Sequence, residues 1–167
     1  MSADRPMRMS EMVILRTVSK GFIPFILLFA LYVQFHGDFG PGGGFQAGVI
    51  FAAGLVLYGL IFGLDDLKRV APRWVFETTL ACGVLLFGGT GVITMLLGGQ
   101  FLEYNVLDSH YHIEAATGLA AQTSMHVPNG HGLHLGLLLI EGGVGIAVTS
   151  AMALIFYAFA GHRPEDT

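Results

Sequence analysis

Apolar residues along this chain fall into four long runs, and the stretches between and around them hold nearly all of the charged residues. The runs cover about residues 17–35, 44–64, 74–97 and 134–159. Each is long enough to cross a hydrocarbon core of about 30 Å, which takes about 17–25 helical residues. Helices are the expected form because lipid offers no partners to backbone N–H and C=O groups. The pattern predicts an all-α integral membrane protein with four transmembrane helices.

The composition excludes an ordinary water-soluble domain. Only 12% of the 167 residues are charged, 53% are hydrophobic, and the mean hydropathy is +0.66, whereas soluble domains carry about 25% charged residues. Pro24 is expected in the first turns of span one, where proline costs little. Glycine pairs spaced four apart, such as Gly44 and Gly48, favour close helix packing in lipid.

The basic residues predict the orientation of the spans. All eight Lys and Arg residues lie in the N-terminal region, between spans two and three, or after span four. By the positive-inside rule these regions are cytoplasmic. We therefore expect cytoplasmic ends at 1–16 and 160–167, around a membrane domain over 17–159. The connection after span one and the long loop 98–133 would face outside.

The connection between spans one and two contains the sequence "FHGDFGPGGGFQAG". It lacks the Lys and Ser/Thr of a phosphate-binding loop, so nucleotide binding is not expected. Proline fixes φ and glycine permits positive φ, which predicts a tight turn with Gly42 and Gly43 at positive φ and a helix restarting near Gly44. The predicted structural turn comprises Pro41, Gly42, Gly43, Gly44 and Phe45. His36 and Asp38 are candidate ion-path residues, or else solvated or packing groups.

Residues 14–60 resemble the B subunit of Mrp-type (Mnh-type) sodium/proton antiporters, the MnhB domain family. The resemblance rests on His36-Gly37 followed by "PGGGFQ" between two apolar helices, and on "ILRT" ahead of span one. A looser match is "LIEGGVGIAV", residues 139–148. The resemblance implies a bacterial or archaeal inner-membrane subunit that assembles with other antiporter subunits, with Na⁺ and H⁺ as the transported ions and lipid around it. It implies an assembly and ion-path-lining role rather than an enzyme, with no cofactor and no nucleic acid.

Two other classes stay open at this point. One is an accessory subunit of an ion-pumping hydrogenase or related redox complex, in which similar domains occur. The other is a self-sufficient small transporter, which a chain with a single deep acidic residue disfavours.

Glu141 is the main ion-path candidate because it lies about 10 Å into span four, seven residues after His134. A carboxylate at such a depth costs about 2.5–3.5 kcal/mol and normally faces a partner or a water-filled path. It could relay a proton or sodium ion, form a hydrogen bond as the neutral acid, or pair with another subunit. Glu77 is a second candidate. Its carboxylate could instead stabilise the N-terminal turn of span three through the helix dipole, or reach the cytoplasmic interface.

The histidines offer weaker candidates. His110, His112, His126 and His131 lie in the long loop, but only the first two are closely spaced and no cysteine accompanies them. No histidine lies in the middle of a span, which disfavours a haem held between helices. We therefore predict no metal site.

Overall fold

The computed structural model describes residues 13–37, 42–103 and 131–161, with the backbone alone for 131–133. These residues form five helices and no strand. The helices are α1 (Val13–His36), α2 (Gly44–Phe62), α3 (Leu64–Val70), α4 (Arg73–Leu96) and α5 (His131–Gly161). Four of them, α1, α2, α4 and α5 from His134, are long and apolar enough to cross a membrane. The prediction of an all-α protein with four membrane-spanning helices is confirmed.

The start of α1 differs from the expected start of span one. The helix begins at Val13, and Thr17 donates a side-chain hydrogen bond to the Val13 carbonyl at 2.9 Å. Pro24 therefore lies inside α1 rather than in its first turns, and that expectation was wrong. Because proline has no N–H, the Lys20 carbonyl one turn earlier loses its helical donor. The stretch between spans two and three is also more ordered than a simple link, since it contains α3.

Helices α2 and α5 are the central pair, with α1 packed mainly on α2 and α4 on α5. Helices α2 and α5 run parallel, because Gly44 meets the backbone of Glu141 and Gly59 meets Phe156 further along. Helix α4 runs antiparallel to α5. The end of the bundle where α1 connects to α2 is called the turn end below, and the other is the base end.

Small residues bring α2 and α5 together. A Cβ built on Gly48 would lie 2.7 Å from the Gly145 carbonyl oxygen, closer than side chains normally approach. Across the same contact, the Thr149 hydroxyl donates to the Gly48 carbonyl at 3.1 Å. In lipid such close packing and interhelical hydrogen bonding replace the hydrophobic drive for helix association. The Gly44–Gly48 pair thus serves the close helix packing predicted for it.

The base end contains the main cluster of buried apolar side chains. Leu67 of α3 packs there with Phe76 of α4 and with Ala153 and Tyr157 of α5. The Phe76 and Tyr157 rings meet edge to face with centroids 5.7 Å apart. The Tyr157 hydroxyl donates to the Ala71 carbonyl between α3 and α4. These contacts attach the connection between spans two and three to the end of α5.

Candidate functional site

The glycine-rich turn closes the turn end of the bundle. Helix α1 ends at His36 and α2 restarts at Gly44, as predicted. Gly43 has φ +109°, which confirms the expected positive φ, whereas Gly42 is not at positive φ, so that part of the prediction was wrong. Glycine is needed at position 42 because the backbone there packs closely against α1. A Cβ on Gly42 would lie 2.9 Å from the Val33 carbonyl oxygen. Asp38 and Pro41 lie outside the described residues.

The turn encloses the carboxyl group of Glu141. A Cβ on Gly37 would lie 2.6 Å from Glu141 Oε2, and a Cβ on Gly43 would lie 3.1 Å from Oε1. The carboxyl group therefore fits between two backbone segments that have no side chains, and its Oε2 is buried. A Cβ on Gly37 would also lie 2.7 Å from the Gly43 Cα, so any larger residue at Gly37 would disturb both the turn backbone and the carboxyl group.

The backbone of Glu141 is held by the same turn. A Cβ on Gly44 would overlap the Glu141 carbonyl oxygen, so the first residue of α2 lies directly against α5. Phe45 follows with its side chain 64% exposed and pointing away from this contact. The turn thus fixes the acidic residue of α5 through both its main chain and its side chain.

Gln34 is a further polar residue at this junction that the sequence analysis missed. Its Oε1 lies 2.6 Å from a Cβ built on Gly145, one turn beyond Glu141 on α5. Its Nε2 is buried and has no hydrogen-bond partner among the described residues. A buried amide donor without an acceptor costs about 1–3 kcal/mol. The signal in the sequence was a lone amide inside span one, three residues before Gly37.

Of the other predicted ion-path residues, His36 and Glu77 make contacts of their own, and Asp38 lies outside the described residues. The His36 ring is exposed at the end of α1 and stacks on Tyr32 with centroids 5.3 Å apart. Glu77 lies toward the base end, where its Oε1 accepts a 2.8 Å hydrogen bond from Arg73 Nε. Both side chains of this pair are more than half exposed. Glu77 therefore forms an exposed ion pair within α4.

The loop histidines that were weighed as metal ligands fall largely outside the described residues. His110, His112 and His126 lie outside the described residues, and the side chain of His131 is not described. Within residues 13–37, 42–103 and 131–161, no three His, Cys, Asp or Glu side chains gather as a metal-binding group.

The arrangement suits reversible binding of a proton or small cation. A buried carboxyl group is costly as an anion and is stabilised when a proton or cation neutralises it. The glycine backbone packs closely against the carboxyl oxygens, and the Gln34 amide lies against Gly145, one turn further along α5. Such an enclosed site differs from a surface ion pair such as Arg73–Glu77.

The comparisons with known proteins agree with each other and with the resemblance seen in the sequence. The family model described as a domain related to the MnhB subunit of Na⁺/H⁺ antiporter matches residues 14–154. The chain is 32% identical to the proposed antiporter subunit mnhB2 of Staphylococcus haemolyticus strain JCSC1435, over 85% of this chain and 93% of that protein. It is also 32% identical to mnhB2 of Staphylococcus aureus strain Newman, over 90% of this chain and 96% of that protein.

The matched region contains α2, α4 and all but the first residue of α1, and it includes α5 as far as residue 154, with Glu141 and the glycines that enclose it. On the length and identity of these matches, this chain belongs to the MnhB family of Na⁺/H⁺ antiporter subunits.

Proposed function

We propose that this chain is a membrane subunit of a multi-subunit Na⁺/H⁺ antiporter and that Glu141 is a titratable station on its ion path. The observation that carries the proposal is the enclosure of the Glu141 carboxyl group between Gly37 and Gly43. A carboxyl group within a span normally faces a partner or an ion pathway. The antiporter class, rather than a redox complex, follows from the relatives named above.

In this mechanism Glu141 alternates between a protonated and an ionised or cation-bound state. Proton entry neutralises the carboxyl group, and its release leaves a charge that a passing cation can balance. The turn keeps the group in one place during the exchange because both Gly37 and Gly44 lie against it. Larger partner subunits would complete the route on either side, since the chain contributes a single acidic residue of this kind among its described spans.

The proposed orientation places the turn end outside and both termini in the cytoplasm of a bacterial or archaeal cell. Arg16 and Lys20 of α1 lie toward the base end, with their charged groups 5.3 and 6.0 Å from the Phe62 ring centroid. Helix α3 and the start of α4 bring Lys68, Arg69 and Arg73 to the same end. Concentration of basic residues at one end supports a cytoplasmic base end.

The test is antiport by everted membrane vesicles that contain the whole complex. Replacing Glu141 with Gln keeps the shape of the side chain but removes the group that can bind and release a proton. We therefore expect Na⁺-dependent proton movement to fall about tenfold or more, because a positioned proton-transfer group is lost. Assembly is checked by native gel electrophoresis of the same membranes. Normal antiport by an assembled Glu141→Gln complex would overturn the proposal.

A second pair of variants tests the enclosure without changing the acid. Gly37→Ala places a methyl group 2.6 Å from Oε2 and 2.7 Å from the Gly43 Cα, and should reduce antiport by disturbing the enclosure that these two glycines form around the carboxyl group. Gly21→Ala is the matched control on the same helix, because nothing lies within 4 Å of its Cβ. Equal antiport by the two assembled variants would show that the position of the carboxyl group does not matter.

A further inference from the structure

Gln34 of α1 places a buried amide group about one helical turn from the Glu141 carboxyl group. Its Oε1 lies 2.6 Å from the position of a Cβ on Gly145, so the oxygen end of the amide faces α5. Its Nε2 is buried and donates to no acceptor among the described residues. Because buried polar groups nearly always have a hydrogen-bond partner, either protein or water, this donor requires an acceptor.

The spacing along the two helices determines how far the amide is from the carboxyl group. On α1, Gly37 meets Glu141 Oε2 and lies three residues after Gln34. On α5, Gly145 meets the amide and lies four residues after Glu141. With a rise of 1.5 Å per residue, the two polar groups are about 4.5–6 Å apart along the helix axes. This is too far for a direct hydrogen bond of about 2.7–3.2 Å, whereas two such bonds through one water molecule span it.

The structure has room for a water molecule beside the amide. Gln34 lines a cleft of about 380 Å³ between the four spanning helices, and Gly142 and Gly145 of α5 line the same cleft. A buried water needs only about 15 Å³ of such space, together with two to four polar partners. At this junction Nε2 is a donor and the Glu141 carboxylate is an acceptor, so a single water can bond to both.

We propose that one bound water molecule connects Gln34 Nε2 to the Glu141 carboxyl group and that Gln34 thereby stabilises the ionised carboxylate. The water accepts a hydrogen bond from Nε2 and donates one to a carboxylate oxygen. When Glu141 takes up a proton, the same water accepts from the carboxyl O–H instead. Hydrogen bonds to a charged acceptor are the stronger ones, so the arrangement favours release of the proton. The inference rests on the proposed function of Glu141 and gives Gln34 a positioning role in it.

The other titratable groups around Glu141 are exposed, hydrogen-bonded or distant. At the turn end of the described residues they are Tyr32 and His36 of α1, His134 of α5 and Glu103 after α4. The two imidazole rings and the tyrosine ring are exposed, and Glu103 Oε2 accepts a 2.8 Å hydrogen bond from the Gln100 N–H. On α2 and α4 they are the exposed Cys82 and, toward the base end, Tyr58, Arg73 and Glu77. Helix α3 and the basic residues of α1 also lie at the base end. Substituting Gln34 leaves all of these groups in place.

The experiment is an infrared titration of the purified whole complex. The C=O band of protonated Glu141 is identified by its absence from Glu141→Gln, and its loss as the pH rises gives the midpoint of ionisation. Gln34→Met keeps the length of the side chain and removes the donor. Because the ionised form is then less stable, we expect the midpoint to move up by about one pH unit, the size of one hydrogen bond to a charged group. Gln100→Met, the same substitution at an exposed glutamine of the turn end, should leave the midpoint unchanged.

A second measurement tests the water and does not depend on the folding of a Gln34 variant. The wild type is titrated in ordinary water and in water labelled with heavy oxygen, which lowers the frequency of water O–H bands. We expect one isotope-sensitive water band to change as Glu141 ionises in the wild type. The same band should be missing from the titration of Glu141→Gln and, where it assembles, of Gln34→Met.

The outcomes separate this inference from the proposed function. An unchanged midpoint in assembled Gln34→Met would overturn the role of Gln34 and leave the role of Glu141 standing. Absence of the isotope-sensitive band would overturn the water bridge, because the amide or a group of a partner subunit would then act directly. Absence of any titrating Glu141 band would overturn the proposed function, and this inference with it.

Discussion

Replacement of Gly48 by alanine should separate the two central helices. A Cβ at this position would lie 2.7 Å from the Gly145 carbonyl oxygen and 2.9 Å from Val148 Cβ. One of these neighbours is backbone, which cannot rotate away as a flexible side chain can. The helices must therefore move apart to accommodate the methyl group.

The cost of this movement follows from the geometry. Restoring an ordinary contact of about 3.4 Å requires a separation of about 0.7 Å at Gly48. The 3.1 Å hydrogen bond from Thr149 to the Gly48 carbonyl would then exceed 3.5 Å and be lost. Overpacking costs about 1–3 kcal/mol, and an interhelical hydrogen bond in a membrane is worth about 0.6 kcal/mol. Together they weaken the α2–α5 contact by about 1.6–3.6 kcal/mol, or about 15- to 400-fold in its equilibrium constant.

The assay is the reactivity of a buried cysteine during SDS titration of the purified complex. Ser150→Cys in a Cys82→Ser background places a thiol at a position that is 2% exposed, and this chain is identified as a single labelled band. Gly48→Ala should become labelled at a lower SDS fraction than the parent. Gly88→Ala, whose Cβ has open space, should match the parent. Identical transitions for Gly48→Ala and Gly88→Ala would refute the reasoning.

Two further predictions concern polar contacts at the base half of the bundle. The 2.8 Å hydrogen bond between Thr79 and Ser150 should give a coupling energy of about 0.6 kcal/mol, and at most about 1.7 kcal/mol, when Thr79→Val and Ser150→Ala are combined in a double-mutant cycle measured by SDS titration. If the effects of the two substitutions simply add, the hydrogen bond contributes nothing to stability. Because the Arg73–Glu77 ion pair is exposed, Glu77→Gln should leave antiport in everted vesicles unchanged and alter the free energy of unfolding by less than about 0.5 kcal/mol. A large loss of antiport in this variant would place Glu77 on the ion path.

The sequence was most informative where the signal was local. Long apolar runs predicted the four spans because the need to cross a hydrocarbon core acts on each segment separately. The restart of a helix at Gly44 after a positive φ at Gly43 was also predictable, because proline and glycine restrict or free their own backbone. The error at Pro24 arose because hydropathy falls at Arg16 and Lys20, whereas the helix itself continues through them.

The site was only half predictable. Glu141 stood out as an acid within a span, and the glycine-rich turn stood out by composition, but nothing in the chain order indicated that they meet. Gly43 and Glu141 are about 100 residues apart in the chain, the described residues between them include α3 and α4, and the contact depends on α2 and α5 packing in parallel. Gln34 was missed because a single amide near the end of a span has no distinctive pattern.

By itself the sequence determined that this is a four-span protein of the MnhB family with its basic residues concentrated at one end. Only the tertiary structure decided which helices touch, that Gly37 and Gly43 enclose the Glu141 carboxyl group, and that a cleft lined by all four spanning helices remains between them. The physical reason is that lipid is as apolar as the protein interior, so hydropathy marks a span without marking the face that packs. The packing face is chosen by backbone approach at small residues, which becomes visible only when the helices are assembled.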